Sequence, residues 1–161
     1  MPIEVGDKLP EAEFIIKTED GLAKKSVADL TAGRKIVLFS VPGAFTPTCH
    51  SSHLPGFIEN ADAIREKGVD EIAVVSVNDV HVLNAWAEAT KGKGKITFLA
   101  DGNADFANAI GMAFDMSAGG MGTRSKRYSM IVDDGIVTAL NQGDVRGQAT
   151  ISSAVAILKQ L

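Results

Sequence analysis

Lys35-Ile36-Val37-Leu38-Phe39-Ser40-Val41-Pro42-Gly43-Ala44-Phe45-Thr46-Pro47-Thr48-Cys49 joins the three features on which the fold turns. The run from Lys35 to Ser40 is apolar without alternation, the pattern of a strand buried on both faces. The segment from Pro42 to Thr48 is rich in turn formers and ends that strand. Beyond Cys49 the apolar residues Leu54, Phe57, Ile58, Ala61 and Ile64 recur at helical spacing. The stretch therefore reads as strand, turn and helix, with Cys49 in the first helical turn.

Downstream the same alternation repeats. Glu71 to Val77, Ile96 to Ala100 and Tyr128 to Val132 read as strands. Asp133-Asp134-Gly135 carries the Asp-Gly signal of a tight hairpin leading into Ile136 to Leu140. Val82, Leu83, Trp86 and Ala87 mark a helix capped by Asn78 or Asp79, and Asp105 to Ile110 a shorter one. Ser152 is the expected cap of a last helix carrying Val155, Leu158 and Leu161, and Pro55 is expected to kink the helix after Cys49. Strands alternating with helices, then a hairpin, predict one α/β domain over residues 1–161: a three-layer sandwich around a mixed central sheet. Such folds place chemistry at strand carboxyl ends, where Cys49 lies.

The chain has 161 residues, enough for a core that needs neither disulfide nor metal. Its formal net charge of -4 argues against a general affinity for nucleic acid or anionic membrane. No apolar run reaches the length of a membrane helix. The start, Met1-Pro2-Ile3-Glu4-Val5, lacks a secretory pattern, so the expected location is cytoplasmic. A single cysteine fits a reducing compartment and leaves a free thiol to explain.

A lone cysteine is often a small core hydrophobe. Here it stands between a turn-rich segment and His50-Ser51-Ser52-His53, too polar for a buried helix start. Unpaired N–H groups at a helix start favour negative charge, and Thr46, three residues earlier, is close enough to face the sulfur. Ionisation alone makes no fast nucleophile. A thiol of pKa ~8.5 is about 3% thiolate at pH 7. Because nucleophilicity falls with pKa, a two-unit drop nets only about three- to fourfold in rate. Fast displacement by such a thiol therefore needs positioned donors for the leaving group, preferably including a fixed cation.

The spacing Pro42, three residues, Thr46, two residues, Cys49 resembles the active-site signature of peroxiredoxins. With His53-Leu54-Pro55-Gly56-Phe57 the string resembles the type II, peroxiredoxin-5-like subfamily. The resemblance continues through Ser76-Val77-Asn78-Asp79, Phe98-Leu99-Ala100-Asp101 and Gly122-Thr123-Arg124-Ser125-Lys126-Arg127-Tyr128, and covers nearly the whole chain. It implies a thioredoxin-like fold and reduction of hydrogen peroxide and alkyl hydroperoxides, with no cofactor and no metal. Carried over by position, Cys49 is the peroxidatic cysteine, Thr46 bonds peroxide and thiolate, Pro42 shields the pocket and Arg127 is the activating cation. Backbone N–H groups between Gly43 and Cys49 complete an oxyanion-like site. The family further implies a homodimer, with Phe45 near the contact. One departure matters: many relatives carry a resolving cysteine, either where Val74 stands or near Ile151, and this chain has neither. A sulfenic acid on Cys49 must then be met by an external thiol, glutathione with glutaredoxin or thioredoxin.

Other readings compete. Cys49 and His53 share a helix face, but a structural zinc site wants four ligands, and His50 and His81 are the only other histidines. A cysteine hydrolase needs a third, orienting group that the sequence does not supply. Cys49-His50-Ser51-Ser52 also reads as the C-x-x-S of a monothiol disulfide transferase, and a non-catalytic redox sensor or holdase could use the same sulfenic acid. His53 is expected to support the pocket and His50 to be solvated. Lys126 reads as a solvated base, while Arg124 could assist Arg127. Met112, Met116 and Met121, interleaved with glycines, suggest a mobile apolar loop.

Overall fold

The computed structural model describes residues 2–145 and 147–161; Met1, part of the expected leaderless start, lies outside them. The run from Lys35 forms a strand, β3 (Lys35–Ser40), at the heart of a seven-stranded mixed sheet. With β1 (Glu13–Thr18), β2 (Gly21–Ser26), β4 (Glu71–Ser76), β5 (Thr97–Ala100), β8 (Tyr128–Asp133) and β9 (Ile136–Gln142) the order is β2-β1-β5-β4-β3-β8-β9. The pairs β3/β4 and β4/β5 are parallel; β3/β8, β8/β9, β1/β5 and β1/β2 are antiparallel.

Strand alternation explains the layers. Val37 and Phe39 point to one face and Ile36 and Leu38 to the other, all four fully buried. On the first face pack α2 (Leu54–Glu59), α3 (Ala61–Glu66), α4 (Val80–Thr90) and α6 (Ala154–Gln160), through Leu54, Phe57, Ile64, Leu83, Trp86 and Ile157. On the second pack α1 (Val27–Thr31) and α5 (Asp105–Ala109), through Leu30 and Phe106. Asp134 and Gly135 both adopt positive φ (48° and 83°), as the Asp-Gly turn between β8 and β9 requires. No helix among the described residues is long and apolar enough to cross a membrane.

Three local readings change, and the choice between Asn78 and Asp79 as a cap is settled. The helix after Cys49 is not one kinked rod. Pro55 takes the second position of α2, where a missing N–H is tolerated, and the break falls at Asn60. Upstream, Cys49–His53 forms a π-turn in which Leu54 N–H donates to the Cys49 carbonyl. The proline ring clashes with the carbonyl four residues before it, which explains why the ladder widens there. Ser153, not Ser152, caps α6, accepting from Ala156 N–H. Asp79 is the cap of α4. The methionine segment is an ordered hairpin of β6 (Ala113–Asp115) and β7 (Thr123–Ser125), with Met112 buried in the second core.

Candidate active site

The carboxyl end of β3, the start of the helix after it and the entry to β8 converge on Cys49. Its side chain is wholly buried. Arg127 stands one residue before β8, whose first residue, Tyr128, is buried and fixes the root of the arginine. From there its Nη2 donates to Cys49 Sγ at 3.1 Å, and its Nη1 donates to His53 Nδ1 at 2.7 Å. The π-turn winds less per residue than an α-turn, so Cys49 and His53 present to the same cation.

His53 is 2% exposed, with Phe39 and Phe57 packed edge-on at centroid distances of 5.1 and 5.6 Å. Its Nε2 lies 3.0 Å from the Ser152 carbonyl, which can only accept, so Nε2 carries the proton and Nδ1 is bare towards Arg127. Burial, then the Arg127 charge, lower its pKa to about 4, against opposing contributions from Ser152 and Asp144. The sign of the consequence follows. Above pH 6.5 the histidine is neutral folded and unfolded; between 6.5 and 4 only the unfolded chain takes up the proton. Stability should therefore fall by about 3 kcal/mol as pH drops through that window, and level off below it. His53→Gln, which does not titrate, should flatten that part of a denaturation-versus-pH series. An equally steep fall in the variant would assign the loss to other groups.

The turn before Cys49 is braced from two sides. Asn78 Oδ1 accepts from Ala44 N–H at 3.0 Å. Arg124 donates to the carbonyls of Met121 at 2.9 Å and Pro42 at 3.4 Å, and a Cβ at Gly43 would come within 2.8 Å of its guanidinium. Arg124 thus holds the loop, whereas Arg127 alone of the two bonds the sulfur. The Thr46 hydroxyl donates to the Gly43 carbonyl at 2.6 Å, so its oxygen is left to accept. Phe45 is held at φ 62°, costly for a bulky residue, with its half-exposed ring stacked 5.6 Å from His50. His50 is exposed, as expected, yet its Nδ1 accepts from Trp86 Nε1–H at 3.1 Å. Lys126 is exposed, and Ser52 of the C-x-x-S string turns away, donating to the Thr48 carbonyl at 3.2 Å. Among the described residues no cluster of His, Cys, Asp or Glu is placed to hold a metal.

Beside Pro42 and Arg127 opens a cavity of about 720 Å³ whose walls include Phe114, Met116, Met121 and Val145. Sequence reading brought Cys49, Arg127 and His53 into one site but missed Asp144, Ser152 and the brace by Asn78. The pair Ser152-Ser153 held the one usable signal, since a helix needs a single cap and one serine was spare.

Chemically, a buried sulfur facing a fixed guanidinium, with an apolar cleft opening beside that guanidinium, suits attack on a neutral molecule that expels an anionic oxygen. The comparisons agree. The redoxin family model matches residues 4–158. Peroxiredoxin-2C of Oryza sativa subsp. japonica is 47% identical over 161 residues, covering 99% of this chain and 99% of that protein. Peroxiredoxin-2E-2, chloroplastic, of the same organism is 49% identical over 164 residues, covering 99% of this chain and 72% of that protein. The crystal structure of reduced Prx3 in complex with H2O2 from Vibrio vulnificus superposes with a TM-score of 0.93 at 47% identity, covering 98% of each chain.

Proposed function

Because this chain belongs to the redoxin family and is a peroxiredoxin, a thiol peroxidase on the thioredoxin-like α/β fold, we propose that it reduces hydrogen peroxide and alkyl hydroperoxides through a Cys49 sulfenic acid. The observation that carries the assignment of roles is Arg127, bonded at once to Cys49 Sγ and to a neutral His53. The thiolate attacks the terminal peroxide oxygen. The S–O bond forms, the O–O bond breaks, and the departing oxygen leaves as water or alcohol after taking a proton. Arg127 stabilises the charge on that oxygen. The Thr46 oxygen accepts from the peroxide O–H, because its own proton is engaged by Gly43. Pro42 shields the sulfur, and the apolar wall of the cavity suits an alkyl group.

The cycle is of the one-cysteine kind, in a type II, peroxiredoxin-5-like member, because the sequence holds no second cysteine. An external thiol condenses with the sulfenic acid, releasing water and leaving a mixed disulfide; a second thiol frees Cys49. We assign the first thiol to glutathione, with glutaredoxin completing the reduction, since the buried sulfur favours a small reductant over a protein. A homodimer with Phe45 at its contact completes the reading. The cytoplasm is the compartment a free thiol fits, although rice peroxiredoxin-2E-2 bears a chloroplastic name.

The test is turnover measured side by side with glutathione/glutaredoxin and thioredoxin/thioredoxin reductase, followed by intact mass spectrometry. Peroxide alone should give sulfenic acid and no intramolecular disulfide. Glutathione should convert it to a mixed disulfide that glutaredoxin reduces, and excess peroxide without thiol should drive it to sulfinic acid. A Cys49–Cys49 disulfide between chains, reduced efficiently by thioredoxin, would overturn the glutathione cycle and leave the peroxidase assignment standing.

A further inference from the structure

Behind His53 lies a polar chain that the peroxidase cycle, on which this inference rests, does not use. The carboxylate of Asp144 closes a loop upon itself. Oδ1 accepts from Thr150 N–H at 2.9 Å and Ile151 N–H at 2.6 Å; Oδ2 accepts from Ser152 N–H at 3.1 Å and from the Ser152 hydroxyl. Burial works against the charge, yet these donors hold the carboxyl below its ordinary range. Thr48, one residue before Cys49, donates its hydroxyl to the Gly147 carbonyl at 3.0 Å and ties the loop to the start of the helix.

Ser152 is fully buried and stands against His53. Its carbonyl accepts from Nε2–H at 3.0 Å, and its hydroxyl oxygen lies 3.3 Å from the same nitrogen. The hydroxyl proton is already given to Asp144, so that oxygen can only accept. Both groups of Ser152 therefore require the proton on Nε2. With the proton on Nδ1 instead, the ring would meet Arg127 donor to donor, and the guanidinium would swing off the sulfur.

We propose that Asp144 and Ser152 are positioning residues of the peroxidase: by fixing His53 as its Nε2–H tautomer, they leave Nδ1 free to aim Arg127 at Cys49 Sγ. Neither touches the sulfur: Asp144 seats the Ser152 backbone and takes the proton of its hydroxyl, and the Ser152 carbonyl and hydroxyl oxygen act on His53. In Asp144→Asn the amide NH2 replaces one of the two acceptor oxygens and meets the donors that oxygen served, so half of the loop's closure is lost while its size is kept.

The test combines three readouts on reduced wild type, Asp144→Asn and Ser152→Ala. Single-turnover oxidation by hydrogen peroxide should slow roughly ten- to a hundredfold in both variants, the scale of misplacing an oriented group. Alkylation of Cys49 by chloroacetamide, which expels no oxygen towards Arg127, should change little. Nitrogen NMR of wild-type His53 should show the Nε2–H tautomer at neutral pH, and Asp144→Asn, whose loop no longer seats the Ser152 carbonyl against the ring, a mixture; Ser152→Ala keeps that carbonyl and should keep the tautomer while loosening the ring's position. Unchanged peroxide rates in the folded variants, or an Nδ1–H or doubly protonated ring in wild type, would overturn the proposal. Should either variant not fold, the wild-type tautomer still decides. Absence of a peroxide reaction in wild type would instead sink the function reading itself.

Discussion

Replacing Cys49 by serine abolishes peroxide consumption and leaves the fold in place. The exchange is nearly isosteric at a wholly buried position, and the new hydroxyl can still accept from Arg127 Nη2. What disappears is the sulfur itself. A hydroxyl is scarcely ionised near neutral pH and cannot hold the added oxygen as a sulfenic acid. Peroxide removal in the presence of glutathione and glutaredoxin should fall to background, with an unchanged circular dichroism spectrum and melting transition. Because the chain offers no other thiol, residual turnover with glutathione and glutaredoxin would have no second cysteine to carry it.

Arg127→Gln should keep a reactive thiol but slow its oxidation by about a hundredfold or more, the scale of losing a key donor to a developing oxyanion. The amide can still bond one neighbour, but it cannot carry a fixed charge to the sulfur while donating to His53. The informative comparison is between two reactions of one thiol. Stopped-flow oxidation by peroxide should collapse, while alkylation by chloroacetamide should not. If peroxide kinetics were unchanged, the cation's role would pass to Arg124. That guanidinium is engaged by Met121 and Pro42 instead.

How much of this was legible depended on whether the deciding forces were local. The runs at Lys35 and Tyr128 are continuous apolar strands, and Asp134-Gly135 is a turn that needs positive φ at both residues. Such features announce themselves within a few residues. The hairpin β1/β2 did not. Gly-Leu-Ala-Lys-Lys-Ser is an edge strand with no strong strand former, and its pairing with β1 defines it. Asn60 splits a stripe that periodicity reads as continuous.

In the site, Cys49, Thr46 and Pro42 sit on one short segment, and their spacing was readable. Arg127 is distant in sequence, and the demand for a cation together with the family resemblance singled it out. Asp144 and Ser152 were not readable, because their roles depend on a contact across ninety-nine residues between Ser152 and His53. Local propensity sees two adjacent serines before a helix and cannot say which one caps it. Tertiary packing assigns Ser153 to the cap and frees Ser152 for the histidine.

The central claim is that one sulfur, faced by one guanidinium, takes one oxygen from a peroxide. Mixing the reduced protein with a single equivalent of hydrogen peroxide and a dimedone-type trap, then sequencing the modified peptide, tests it directly. The account predicts one adduct per chain, located at Cys49 and formed far more slowly in Arg127→Gln. An unmodified Cys49 alongside consumed peroxide would contradict it.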